Sequence, residues 1–319
     1  MRIVLGVGLV LLAGLLGGGM FAGNAIYGAN VQVDPNCHDY PIFSADAAKL
    51  TVASNPLAHR IDPGVYERVE RVDFPARDGG VTVAGLYLPG PEGAPLIIAV
   101  HGFTGCKHHK HGLSVLGILG SEGYGVLAID LREHGESTVV DGVAAFGSDE
   151  FNDVLGAYDY ARGTLGQPRA KIGLWGESMG GSTALIANIR EDLGPLFLDA
   201  PYADITTVLK DNADRASVPP WSIDLIVPSV QLLRGHDFKA ASPIKGLVQH
   251  ADQPIYWVHG TADETTGIHH AHWAMEVVEG GSNKTFYLPE GLGHVATLWD
   301  RPTEYRTALL GFFDQHLRD

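Results

Sequence analysis

Cysteine and basic charge are the scarce commodities of this chain. Two cysteines stand among 319 residues, so at most one disulfide forms, Cys37 with Cys106 in an oxidising compartment; the alternative is two thiols. Lysine and arginine together number 22 against 37 aspartates and glutamates, a formal net charge of −15. That deficit argues against nucleic acid as a partner and against electrostatic adhesion to anionic lipid headgroups. No Lys/Arg-rich stripe with interleaved aromatics occurs, and no internal repeat or low-complexity tract lies outside the N-terminus. Histidines cluster twice, at His108, His109 and His111 and at His269, His270 and His272. No carboxylate stands beside either group at metal-ligand spacing, so no metal is expected, and no cofactor either.

What is present is a large apolar fraction, 45% of residues, with 41 glycines. A chain of this size and composition buries the core of one α/β domain, and tight strand–helix turns account for the glycine. Ile3 to Gly23 carries no charge, and no charged residue follows Arg2 before Asp34. At about 1.5 Å per residue this run reaches roughly 30 Å, the thickness of a bilayer core. Residues 1–24 are therefore expected to form a transmembrane anchor, with a cleaved signal segment as the alternative. Arg2 on one side and Asp34 and Asp46 on the other place the following domain outside the cytoplasm, anchored or secreted. Residues 25–69, with Pro35, Pro41, Pro56 and Pro63, read as a connector, with some helical content expected around Ala45 to Ala53.

The chemistry is concentrated around Gly176-Glu177-Ser178-Met179-Gly180. Lys171 to Trp175 reads as a buried strand and Gly181 to Ile189 as a helix, so Ser178 falls on a strand-to-helix turn, the nucleophile elbow. Such a turn strains the seryl backbone, and only small neighbours at 176 and 180 permit it. A hydroxyl needs a base and an orienting acid, expected downstream in the order acid, then histidine. Asp263 ends the strand Pro254 to Gly260, and His294 sits in the Gly-rich loop after the strand Lys284 to Leu288. Glu264 competes as the acid; the strand-end geometry favours Asp263. The strand Ala94 to Val100 runs into His101-Gly102-Phe103-Thr104-Gly105, whose glycines let amides turn into the site. The N–H groups of Phe103 and Met179 are the expected oxyanion donors.

These motifs, with Ala128 to Ser137 and His259-Gly260-Thr261-Ala262-Asp263, make the chain resemble an α/β-hydrolase superfamily serine hydrolase from Val72 to Leu317. The branch it most resembles holds membrane-anchored bacterial esterases and lysophospholipase-like proteins, related to eukaryotic thioester hydrolases that deacylate proteins. One departure is Glu264-Thr265-Thr266-Gly267, where relatives carry a Val-Pro step. The resemblance implies an α/β fold with a small helical cap.

The order of strands and helices agrees: a hairpin over Arg71 to Leu88, then alternation from Leu96 to Asp199, meaning a mostly parallel sheet covered on both faces. The catalytic domain is expected over 70–319. Alternation fails between Pro201 and Pro254, which places a cap insertion at about 205–248. Within it Trp221, Ile223, Leu225, Ile226 and Leu232 either line an acyl pocket or pack the cap on the core; Trp221, Tyr202 and Leu292 are the candidate substrate contacts. His134 is read as bracing neighbouring loops, and Glu177 as a hydrogen-bonded supporting carboxylate. The expected function is hydrolysis of small-molecule or lipid carboxylic esters through an acyl-enzyme on Ser178. A thioesterase or amidase using the same triad, and a non-catalytic membrane-tethered binding module, are the alternatives.

Overall fold

Strand sequences such as Leu96-Ile97-Ile98-Ala99-Val100 are apolar at every position because both of their faces are covered, and all five residues are buried. In the computed structural model, which describes residues 18–33, 43–278 and 283–318, such strands build a twisted sheet. The strands are β1 (Glu70–Pro75), β2 (Thr82–Leu88), β3 (Leu96–Val100), β4 (Gly125–Ile129), β5 (Ile172–Glu177), β6 (Leu196–Asp199), β7 (Ile255–Val258) and β8 (Lys284–Tyr287). Their spatial order is β1-β2-β4-β3-β5-β6-β7-β8. The hairpin β1–β2 and the pair β2–β4 are antiparallel; every later pair is parallel. The α/β sheet expected from the alternating pattern is therefore observed, with β5 at its centre.

One face carries a cluster containing Leu174, Leu198 and Trp257 against Leu155, Tyr158 and Leu185. The other carries Trp175 and Phe197 against Leu116, Tyr305 and Phe313. Alternate residues of β5 and β6 thus enter opposite cores, as the strand period requires. Residues 43–69 carry the helix expected near 45–53 and pack on the domain. Their helix α2 (Ala45–Val52) is capped by Ser44, and Val52, Leu57, Ile61, Val65 and Tyr66 are buried in the second cluster beside α3 (Lys110–Ser121). Pro63 there opens a 3₁₀ turn, Pro63–Arg68, capped by Asp62.

The cap comprises α6 (Ile205–Arg215), a 3₁₀ turn (Pro220–Ser222) and α7 (Ile223–Arg234). Asp204 caps α6 by accepting from the Thr207 amide, and α7 ends at Gly235 with φ +84°. The next helix, α8 (Pro243–Gln249), lies within the expected insertion but belongs to the main body. It packs on α5 (Met179–Asn188) so closely that a Cβ on Gly246 would meet the Leu185 carbonyl oxygen at 1.7 Å. The insertion therefore closes before α8.

Residues 18–30 are helical (α1), and its far end is docked. Gly23 lies against Ile226 and Ser229 of α7. Arg234 donates to Asn24 at 2.7 Å and pairs with Asp141, while the Tyr27 hydroxyl donates to Ala144 at 2.6 Å. Val31 and Val33 continue into the core, and Gln32 bridges Val143. The expected membrane span over 1–24 falls largely outside the described residues. Among those described, no helix is long and apolar enough to cross a membrane.

Candidate active site

β5 delivers Ser178 to α5 through a turn in which the serine takes φ +49° and ψ −122°, a region of backbone space that costs an L-residue of order 1–3 kcal/mol. Packing holds it there. A Cβ on Gly180 would meet the carbonyl oxygens of Val100 and His101 at 2.3 Å, and one on Gly176 the Gly181 backbone at 2.8 Å. The Ser178 amide is anchored by donating to the Asp199 carbonyl at 2.7 Å. The side chain therefore stands proud of the sheet at the head of a helix, where the dipole favours negative charge.

His294 and Asp263 converge on it from loops after β8 and β7. His294 Nε2 lies 2.9 Å from Ser178 Oγ, and His294 Nδ1 lies 2.7 Å from Asp263 Oδ2. With Nδ1–H donated to the carboxylate, Nε2 carries the lone pair that accepts the seryl proton. Asp263 is buried, whereas Glu264 is exposed and takes no part. Thr265 and Thr266 amides donate to Asp263 Oδ1 at 2.8 and 2.9 Å. The Thr266 hydroxyl lies 3.0 Å from Asp263 Oδ2, 3.2 Å from His294 Nδ1 and 3.1 Å from the Ala200 carbonyl. Beneath it, Trp257 Nε1–H donates to His259 Nδ1, so His259 Nε2–H donates to the Thr266 carbonyl. Burial works against charge on Asp263, but His294, the Thr266 amide and His259 outweigh it and hold the carboxyl below its usual range.

The loop expected to carry the Phe103 oxyanion donor is equally fixed. Leu131 N–H donates to His101 Nε2 at 3.1 Å, which leaves Nδ1–H to donate to the Gly102 carbonyl at 2.7 Å. Gly105 N–H reaches the same carbonyl, and Thr104 takes φ +61°. Gly102 packs on the nucleophile, where a Cβ would come 3.1 Å from Ser178 Cβ. The loop thus runs beside Ser178, with Phe103 next to Gly102 and Met179 opening α5. Phe103 rests on Phe146, ring centroids 5.2 Å apart. His134 is buried against His101 and donates to the Arg132 carbonyl; burial holds its pKa down to about 3, which suits a brace and not a base. Cys106, just beyond the loop, is disulfide-bonded; Cys37 lies outside the described residues.

The three expected substrate contacts fare differently. Trp221 is 64% exposed on the cap's 3₁₀ turn, so it lines no enclosed pocket. Tyr202 is buried and donates its hydroxyl to the Phe146 carbonyl, a structural tie behind the site. Leu292 is buried, and its carbonyl accepts from Ala262, joining the loops of His294 and Asp263. Ile223 and Ile226 line an apolar cavity of about 190 Å³ with Ile26, Tyr27, Val31 and Leu209, between α1 and the cap; Leu225 and Leu232 are exposed. The absence of a carboxylate near the histidine clusters also needs correction. Folding brings Glu177 to His109 and His111, and Asp211 to His269 and His270. Both pairings join residues more than fifty positions apart, beyond any spacing rule. His259 stood in the His259-to-Asp263 motif without a role assigned to it, and Thr266 was signalled only by the departure at 264–267.

A family profile described as the prolyl oligopeptidase family, peptidase S9, matches residues 111–319, a span that contains Ser178, Asp263 and His294. The chain belongs to that family. As a prolyl oligopeptidase family member it is a serine hydrolase of α/β-hydrolase fold. It is 23% identical over 256 residues to the uncharacterized protein YqkD of Bacillus subtilis (strain 168), covering 78% of this chain and 81% of that one. Among solved structures it is similar to the esterase Pf2001 of Pyrococcus furiosus, with a TM-score of 0.68 and 18% identity over 90% of this chain and 98% of the other. The acylaminoacyl peptidase of Pyrococcus horikoshii gives a TM-score of 0.62 at 18% identity, over 79% of this chain and 42% of that one. At such identities the structural likeness speaks for the fold.

Proposed function

We propose that this family member hydrolyses carboxylic esters through an acyl-enzyme on Ser178. The observation that carries the reading is the continuous relay from Ser178 Oγ to His294 to Asp263 at 2.9 and 2.7 Å, on a serine held at φ +49°. Ser178 Oγ attacks the acyl carbon while His294 Nε2 takes its proton. Asp263 keeps the imidazole in the needed tautomer and stabilises its charged form. The amides of Phe103 and Met179 receive the oxyanion, each contributing about 3 kcal/mol. His294 then protonates the leaving alcohol, and water attacks on the same base to release the acid. No cofactor enters any of these steps.

A lipid or other apolar ester is favoured by the surroundings of the cap. Ile26 and Val218 are exposed and line the apolar cavity, and Phe21, Trp221 and Leu225 are exposed on the same two elements, α1 and the cap. The disulfide at Cys106 and the charge difference between Arg2 and Asp34 support an extracytoplasmic domain held at the membrane by the N-terminal run. The second reading is amide or peptide hydrolysis by the same relay, supported by the peptidase family and by the acylaminoacyl peptidase likeness. The deciding experiment compares p-nitrophenyl esters of graded chain length with aminoacyl and peptidyl p-nitroanilides on the full chain in detergent. Faster turnover of the esters, rising with acyl length, is expected. A kcat/KM larger for the anilides would reverse the assignment, and Ser178→Ala that still reacts with a fluorophosphonate would remove the mechanism.

A further inference from the structure

Beside the nucleophile, but outside the relay, lies a group of side chains that acyl transfer does not use. His111 Nδ1 is 2.7 Å from Glu177 Oε2, and His109 Nδ1 is 4.0 Å from Glu177 Oε1. One donor atom from each of the three residues lies within 4.8 Å of the others. The two rings stand edge to face with centroids 5.2 Å apart, at the head of α3. Tetrahedral zinc, with bonds of about 2.0–2.2 Å to nitrogen and oxygen, needs donors roughly 3.3 Å apart. The observed 2.7 and 4.0 Å bracket that value.

We propose that His109, His111 and Glu177 form a binding site for a divalent zinc-type cation, with water as the fourth ligand, whose occupation slows catalysis at Ser178. The cation displaces the proton between His111 Nδ1 and the carboxylate, which is released to solvent, and the neutral imidazole carries its N–H on Nε2. His109, 23% exposed in its side chain against 6% for Glu177, is the entry side.

Coupling to catalysis is direct, because Glu177 is the residue before the nucleophile. Gly102 of the oxyanion loop sits where a Cβ would be 3.4 Å from the Glu177 carbonyl oxygen and 3.7 Å from its Cγ. Drawing the carboxylate toward a cation shifts both the elbow and the loop that carries the Phe103 amide. The other trio, Asp211, His269 and His270, is a weaker ligand set. Ala203 N–H donates to His270 Nδ1 at 3.3 Å, so that ring has its lone pair engaged and its proton on Nε2, leaving two ligands.

The test is zinc binding to the full chain in detergent, measured by competition with a chromogenic zinc indicator, with ester hydrolysis followed in parallel. The slowing of hydrolysis rests on the ester reading above; the indicator measurement does not. One zinc is expected to bind per chain, including after Ser178 has been capped by a fluorophosphonate. His109→Ala should weaken binding by at least about tenfold and abolish zinc inhibition while basal hydrolysis is kept. His109→Asp, which restores an oxygen ligand, should recover part of the affinity. His269→Ala should bind as the parent does. Unchanged affinity in His109→Ala, binding lost in His269→Ala, binding blocked by the fluorophosphonate (zinc then sits on His294), or no binding at all would each overturn the proposal.

Discussion

Replacing Thr266 by valine removes one oxygen and keeps the β-branched shape, which isolates what the hydroxyl does for the relay. In the native site that oxygen lies 3.0 Å from Asp263 Oδ2 and 3.1 Å from the Ala200 carbonyl, and the residue is buried. A hydrogen bond to a charged group contributes about 1.5–3 kcal/mol. Here the carboxylate retains two amide donors and His294, so the lower end applies. Thr266→Val should therefore reduce kcat/KM for p-nitrophenyl acetate by about tenfold, most of it in kcat, since each 1.36 kcal/mol is a factor of ten. Thr266→Ser should restore activity. Asp263→Asn, which forces the wrong imidazole tautomer, should cost far more, about 10⁴-fold. A stopped-flow measurement should show slower acylation by a fluorophosphonate in Thr266→Val, with a thermal melt confirming that the fold persists. Activity within twofold of the parent, in a folded variant, would refute the idea that this hydroxyl positions the acid.

Other changes probe the backbone and the charges. Both Ser178→Ala and Ser178→Gly should lose fluorophosphonate labelling, but the glycine variant should be the more stable by about 1 kcal/mol, because only glycine is at ease at φ +49°; paired urea titrations decide this. Asp199, paired in register with Glu177 on the neighbouring strand, is pushed up to about 7 by burial and by the Glu177 charge. A raised carboxyl holds its proton more tightly when folded, so its contribution is full below about pH 4 and is lost as pH rises through 7. Asp199→Asn should accordingly flatten the decline of unfolding free energy between pH 4 and pH 8, and an unchanged slope would contradict the assignment. Gly246→Ala drives a methyl into the Leu185 carbonyl and should destabilise by about 3 kcal/mol in denaturant melts.

The strands and the three relay residues were legible because each obeys a local rule. Buried parallel strands are unbroken apolar runs, and β3, β5, β6 and β7 end where chemistry-bearing residues begin. Where a segment's partner is distant, no such rule exists. Residues 43–69 look like a proline-punctuated tether, yet Val65 and Tyr66 find their place against α3, an element about fifty residues later. α8 follows the two cap helices without any change in pattern, and the close approach at Gly246 that seats it on α5 is visible only in space. Trp221 illustrates the converse: an aromatic in an apolar stretch suggests a pocket wall, but it stands on the outside of a turn. The ties from Glu177 to His111 and from Asp263 to Thr266 depend on loop paths, which sequence pattern leaves open.

The docking of α1 onto α7 and onto residues 141–146 bears on how the enzyme can be handled. Trimming the leading residues to obtain a simpler catalytic fragment would strip Tyr27, Val31 and Val33 out of a shared core and leave Arg234 without Asn24. Phe146, at the edge of that patch, supports the ring of Phe103, so the damage would reach the acyl-transfer centre itself. Whatever holds the front of the chain in place thereby also steadies α7 and the loop at 141–146, and the enzyme's shortest working form begins well before its first strand.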